Sequence, residues 1–248
     1  EVLSITQPGD YCFSGKIVEE EGRKLVQPDR DFKFPIQLEG EPEQLAAGTK
    51  VTARVVKRGQ RHFDHRARVE LVFGDSAMAQ NSARAMIAAA GLAREFPEET
   101  LAQARSLPGA VLPGELAGRE DLRGLPIFTI DAAESKDMDD AISVVRQGDG
   151  WELGVHIADV SHYVGAGSAL DREAYARGTS VYYADQVIPM LPPQLSNGIC
   201  SLNPRVDRLT LSCLMTITAD GTVAEYEIVK SVIRTAERMT YAHCNALL

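Results

Sequence analysis

Between positions 131 and 141 the chain reads DAAESKDMDDA, which sets carboxylates at Asp131, Glu134, Asp137, Asp139 and Asp140 against the single cation Lys136. Like charges a few ångströms apart oppose one another's ionisation, so this crowding is costly unless cations neutralise it. Hard divalent ions choose oxygen ligands, and Mg²⁺ takes one or two carboxylates together with waters and substrate phosphate oxygens. Phosphate-ester cleavage meets that need: two metals about 3.5 to 4 Å apart activate an attacking water and stabilise the leaving oxygen of an in-line displacement. The plain alternative is a solvated acidic loop, the usual fate of a charge run. Position counts against it, because the apolar runs IFTI and AISVV flank the segment and put it at strand ends, where site residues are commonly placed. An EF-hand begun at Asp131 fails at Ala133 and Lys136, where an oxygen ligand and a glycine are required. An Asp-x-Glu proofreading motif also fails at Ala133.

A second constellation, His156-Ile-Ala-Asp159-Val-Ser-His162, would share one face of a helix and offer a metal triad. Its pattern is that of a strand, which points His156 and Asp159 to opposite faces. A turn at Gly148-Asp149-Gly150 between Ala141–Val145 and Trp151–Ala158 predicts a hairpin. Counting outward from that turn places Asp159 opposite Met138 or Asp139, beside the acidic loop.

Short β-like runs, CFSGKIV, KLVQP, FKFPIQL, KVTARVV and ARVELVF, fill the chain from Gly9 to Phe73. Five such strands suit a small OB-like or cold-shock barrel, a fold often used on single-stranded nucleic acid. An alanine-rich helix is expected after Asp75 or Ser76, closed by Gly91, and a second begins with Pro97 at its first position and Glu98 and Glu99 favoured by the helix dipole. The Pro- and Gly-rich stretch from Pro108 to Pro126 reads as the boundary to a second region. That region adds a helix over Leu170–Arg177 and a strand pair around Asp220-Gly221. The expected division is 1–74, barrel; 75–125, helical connector; and 126–248, an α+β catalytic region.

The chain has 248 residues, 44% of them hydrophobic and 25% charged, which is ordinary globular composition. No apolar run approaches the roughly 20 residues that span a bilayer, and residues 1–13 lack a signal-peptide pattern. Cys12, Cys200, Cys213 and Cys244 are scattered, as reduced thiols in a cytoplasm would be. The net charge of -9 argues mildly against nucleic acid, yet Lys50, Arg54, Lys57, Arg58, Arg61, Arg66 and Arg68, with His62 and His65, form a positive stripe interrupted only by Asp64. Both ends read as cut, at Glu1 without a methionine and at Ala246–Leu248 inside an amphipathic helix, so an exposed hydrophobic patch and little processive activity are expected of the chain alone.

The string FTIDAAESKDMDDAISV resembles the signature of the ribonuclease II and ribonuclease R, or RNB, catalytic domain. HIADVSHYV, RGTSVYY, VIPMLPPQLSNGICSLNPRVDRLTLSC and ERMTYAHCN continue the likeness in order, across Pro126 to Leu248. SNGICSLNPRVDRL is more similar to ribonuclease R. Upstream, EEGRKLVQPDRDFKFPI resembles a cold-shock domain and GDSAMAQNSARAMIAAAGLAREFPEE the helical joint that follows it, although Gly22 is followed by Arg23, Lys24 and Leu25 where an aromatic is usual. Leu214 also departs from the family, which often has a polar residue there. The resemblance implies a monomeric, Mg²⁺-dependent hydrolase that degrades single-stranded RNA from its 3′ end and releases nucleoside 5′-monophosphates. It implies that Asp131 and Asp140 are metal ligands, that Asp137 completes the acidic cluster, and that Asp139 is the essential carboxylate positioning metal or water. It further implies that Tyr182 stacks on the terminal base. Arg54, Lys57, Arg58 and Arg61 are expected to bind the RNA backbone. The rival expectations are a catalytically incompetent RNA-binding fragment and a Ca²⁺-stabilised structural loop.

Overall fold

The computed structural model describes residues 11–30, 32–40, 44–61, 64–183 and 186–247. The chain forms two compact units, Glu1–Glu95 and Phe96–Leu248. In the first, β1 (Cys12–Glu20), β2 (Arg23–Pro28), β3 (Ile36–Leu38), β4 (Thr49–Lys57) and β5 (Arg66–Asp75) form a closed barrel in the order β1-β2-β3-β5-β4. These are the five expected strands, and the architecture is OB-like. Alternation within them sends Phe13, Ile17, Val26, Val51 and Ala67 into the barrel core. The β1–β2 connection is a two-residue turn in which Glu21 (φ 51°) and Gly22 (φ 76°) are both left-handed, the backbone twist that joins strands most tightly. Helix α1 (Ala79–Ala89) packs against β1, β4 and β5. It starts later than expected, because Asp75 accepts from the Ala77 amide in a preceding turn and does not cap the helix. Its end is as expected: Gly91 is left-handed, and Leu92 N–H bonds the Ile87 carbonyl while Gly91 N–H bonds that of Ala88, a Schellman closure.

Helix α1 lies within the first unit. Helix α2 (Glu98–Ser106) belongs to the second, where it packs against α4 (Ala169–Arg177) and the short helical turn Gln194–Ile199. Pro97 flanks α2 as its N-cap, one position before the first helical residue, with Glu98 and Glu99 in the first turn.

The second unit is built on a sheet that, among the described residues, has 7 strands. They are β6 (Glu120–Asp121), β7 (Ile127–Asp131), β8 (Asp140–Gln147), β9 (Gly150–Ala158), β12 (Asp207–Ile217), β13 (Val223–Arg234) and β14 (Glu237–Thr240). The order is β14-β7-β8-β9-β12-β13-β6. A separate hairpin joins β10 (Val181–Tyr183) to β11 (Gln186–Ile188). The α+β character expected of this region is present.

The two faces of the sheet differ. One buries a polar ladder: His156, fully buried, shares hydrogen bonds with Ser143 Oγ through Nε2 (3.1 Å) and Ser212 Oγ through Nδ1 (2.7 Å), and Ser212 reaches Ser231. Gly154 makes room for the ring, since a Cβ there would lie 2.7 Å from Nε2 and 2.4 Å from Ser143 Oγ. The opposite face exposes Val144, Trp151, Ile157, Leu211, Tyr226 and Ile228.

Burial holds the His156 imidazole down at about 4, against 6.5 for the free side chain. The unfolded chain consequently takes up a proton first, and stability present above pH 6.5 is lost as pH falls toward 4. A loss of roughly 3 kcal/mol over that window is expected in urea titrations, and His156→Gln should flatten it.

Candidate metal centre and RNA-contacting groups

The acidic segment is the connection between the end of β7, at Asp131, and the start of β8, at Asp140. Its backbone is fastened at several points. Met138 is buried, its amide donates to Ser201 Oγ (3.2 Å), and its carbonyl accepts from Leu202 N–H (2.7 Å). Ser201 Oγ in turn donates to the Lys136 carbonyl (2.8 Å), while Arg208 Nε donates to the Ser201 carbonyl (2.8 Å). Ala158 N–H donates to the Asp139 carbonyl (2.9 Å). With the apolar Met138 as an anchor, Asp139 and Asp140 on its C-terminal side remain exposed.

The charges behave as their crowding predicts. Burial, reinforced by the charges of Asp140 and Asp139, raises the Asp131 carboxyl above its ordinary value, with Thr129 and Arg238 opposing. Partial desolvation, then the charges of Asp140 and Asp137, raises Asp139. Asp131 Oδ2 is buried without a hydrogen-bond partner. An unpartnered buried carboxylate oxygen among like charges is a donor that a hard cation would satisfy. Among the described residues, however, no three His, Cys, Asp or Glu side chains close into a ready-made cage. The buried Asp131 oxygen is compatible with a hard cation such as Mg²⁺, which draws on few protein carboxylates and completes its shell with water and phosphate.

Tyr182, 45 residues away in sequence, donates its hydroxyl to Asp137 Oδ2 at 3.1 Å. Tyr182 is 67% exposed, and the Asp137 carboxylate raises its hydroxyl pKa. The structure thus brings Tyr182 to the acidic loop, two residues from Asp139.

The hairpin register is as expected: Asp140 lies opposite Ile157 and Gln147 opposite Gly150, which continues to Asp159 opposite Met138. The Asp159 carboxylate is nevertheless engaged elsewhere, accepting from Arg119 Nη2 (2.6 Å) and Ser161 Oγ (2.9 Å). Asp159 follows the end of β9, and His162 sits in α3 (Val160–Tyr163), bonded to Glu115. Asp159 and His162 share Arg119, whereas His156 bonds Ser143 and Ser212 within the sheet, so the three side chains form no triad.

Part of the positive stripe is neutralised within the barrel. Lys50 is buried against Asp29 (2.6 and 2.7 Å), and Arg54 pairs with Glu70 on the neighbouring strand. Lys57, Arg58 and Arg61 are exposed, whereas His62 lies outside the described residues. Leu214 packs at the margin of the core formed by Ile127, Met138 and Ile233. Sequence patterns missed Ser201 and Arg238, which reach the loop across 63 to 106 residues, Arg119, whose partners lie 40 to 112 residues away, and Arg208, which acts on the loop only through the Ser201 carbonyl.

Residues 119–248 match the RNB domain family. Ribonuclease R 1 of Lactococcus lactis subsp. lactis (strain IL1403) is 54% identical over 164 residues, covering 66% of this chain and 20% of that protein. Ribonuclease R of Thermotoga maritima is 48% identical over 230 residues, covering 90% of this chain and 32% of that protein. The chain therefore spans a third or less of the length of these relatives. The structure of Mycoplasma genitalium RNase R in complex with double-stranded RNA matches with a TM-score of 0.85 at 28% identity, covering 100% of this chain and 44% of that chain. The yeast pseudonuclease Ssd1 shares the fold, with a TM-score of 0.78 at 16% identity over 98% of this chain and 32% of its own. With more than half of its residues inside the matched region, and with the acidic loop and Tyr182 within it, this chain belongs to the RNB domain family.

Proposed function

We propose that this chain is part of a 3′-to-5′ hydrolytic exoribonuclease of the ribonuclease R type, acting on the 3′ end of single-stranded RNA and releasing nucleoside 5′-monophosphates. The observation that carries the reading is the hydrogen bond from Tyr182 to Asp137, which sets an exposed aromatic side chain beside the crowded carboxylates. Asp131 and Asp140 are the proposed Mg²⁺ ligands, with Asp137 completing the acidic set. When bound, the cations supply charge neutralisation and activation of water in a two-metal hydrolysis. Asp139 orients the metal or the water, and Tyr182 stacks on the terminal base, an interaction worth roughly 1 to 3 kcal/mol. The relationship to ribonuclease R proteins, one of them solved with RNA, supports an RNA substrate. No helix among the described residues is long and apolar enough to cross a membrane, and the proposed setting is a monomeric enzyme in the cytoplasm.

A catalytically incompetent RNA-binding protein is the alternative, favoured by one observation: the same fold occurs in a pseudonuclease. Labelled single-stranded RNA incubated with and without Mg²⁺, and resolved on a gel, separates the two. The 248-residue chain should be run beside a longer protein carrying the rest of the family domain. Mononucleotides appearing only with Mg²⁺ support the enzyme, whereas RNA that is bound and left intact by both proteins supports the alternative.

RNA affinity is expected to fall with salt, each phosphate contact contributing about 0.7 to the slope of log affinity against log salt for single strands. Lys57→Ala and Arg58→Ala should each lower the slope by about that amount. Arg54→Ala should lower it less, since Arg54 already pairs with Glu70. Unchanged slopes in all three variants would remove the stripe from the RNA path.

A further inference from the structure

We infer that Arg238 is a positioning residue that sets the conformation of the acidic loop and thereby its affinity for divalent cations. This rests on reading the loop as a metal site. Arg238 lies in β14, which runs parallel to β7, with Arg238 opposite Thr129 and Thr240 opposite Asp131. From there its Nη2 donates to three carbonyls of the loop, those of Ala132 (3.2 Å), Ala133 (2.7 Å) and Ser135 (2.7 Å). A hydrogen bond to a charged donor is shorter and roughly twice as strong as a neutral one. Three carbonyls converging on one guanidinium nitrogen therefore fix the path of the chain directly after Asp131.

The loop has two tethers of different kinds. Its C-terminal half is held from the core side by Ser201, through Lys136 and Met138. Its N-terminal half is closed by the Ser135 N–H to Ala132 carbonyl bond (3.1 Å), and Arg238 is the side chain that reaches across to it. Without that cation, three carbonyl dipoles would face one another beside Asp131, whose Oδ2 is already buried and unpartnered. The turn would then open toward water, and the spacing between Asp131 and the Asp137–Asp140 group would no longer be fixed. Groups that orient metal ligands without touching the metal typically change metal affinity 10- to 100-fold when removed.

The test uses Arg238→Met, which keeps an apolar stem, and Arg238→Lys, which keeps a charged donor of shorter reach. Three quantities are read on the 248-residue chain: Mn²⁺ affinity by calorimetry, hydrogen exchange at the Ser135 and Met138 amides, and the unfolding midpoint. Arg238→Met should weaken Mn²⁺ binding roughly 10-fold and speed exchange at Ser135 more than at Met138, with Arg238→Lys recovering part of both. Unchanged exchange at Ser135 would overturn the inference. So would faster exchange with unchanged Mn²⁺ affinity, or a lower unfolding midpoint alone, since each describes a purely structural arginine. If the unaltered chain binds no Mn²⁺, the metal reading fails by itself, and Ser135 exchange still decides whether Arg238 positions the loop.

Discussion

In a protein carrying the whole family domain, Asp139→Asn is expected to lower RNA hydrolysis by roughly 10²- to 10⁴-fold, the range associated with removing one positioned proton-handling group. RNA affinity should remain within about 2-fold, because the exposed cations Lys57, Arg58 and Arg61 and the stacking face of Tyr182 are left in place. The change should also leave the fold intact. Asp139 is exposed, its carbonyl keeps its bond to Ala158, and the neighbouring anchor is the buried Met138. Partial desolvation, and then the like charges at Asp140 and Asp137, disfavour ionised Asp139, so removing its charge relieves both in the free protein. An unfolding midpoint equal to or above that of the unaltered protein, with single-turnover hydrolysis lost, is the expected pair of results. Turnover within a few-fold of the unaltered enzyme would remove Asp139 from the mechanism.

What was legible in the sequence follows from how far each signal reaches along the chain. The barrel strands and the hairpin around Gly148–Gly150 rest on alternation and on turns, which are local; the five strands are present, and the hairpin has its expected register. The acidic loop was legible for the same reason, since five carboxylates in one segment need no tertiary information to be noticed. The helix start expected at Asp75 or Ser76 was a local competition that went the other way: Asp75 bonds the amide two residues on, and the helix begins only at Ala79. Pro and Gly content marks irregular backbone, whereas the grouping of elements into units is set by packing, which has no local signal. Ala104 on α2 joins the core of Leu170, Leu195 and Leu209 well before the Pro-rich stretch is reached. The side chains that fix the site were invisible, because Arg238, Ser201 and Arg208 act from distant strands and turns upon a loop whose own sequence does not mention them.

Arg119 is the other residue that sequence could not single out, and its removal is expected to have the largest effect on stability. Its side chain is 4% exposed and the Asp159 side chain 6%, and they meet at 2.6 Å. Arg119 also donates to the carbonyls of Thr210 and Ser231 (3.4 Å each), linking β12 to β13, and shares a bond with His162. Arg119→Met leaves a buried carboxylate without its cation, a change that typically costs about 3 to 5 kcal/mol. Arg119→Met with Asp159→Asn should cost less, because no unpaired charge remains. The pH dependence gives an independent check. Burial raises the Asp159 carboxyl, but the Arg119 and Ser161 hydrogen bonds outweigh it and hold the group below its ordinary 3.8. The stabilisation it contributes is therefore present above that value and is lost as pH falls through the folded-state pKa. In Arg119→Met the same carboxyl is buried with the Ser161 hydrogen bond but without its cation, so protonation relieves it. The stability gap between the two proteins, measured by urea unfolding, should accordingly be widest near neutrality and narrow below about pH 4. A gap that stays constant across that window would show that Arg119 acts through its packing and its bonds to the strand carbonyls, and that its charge contributes little.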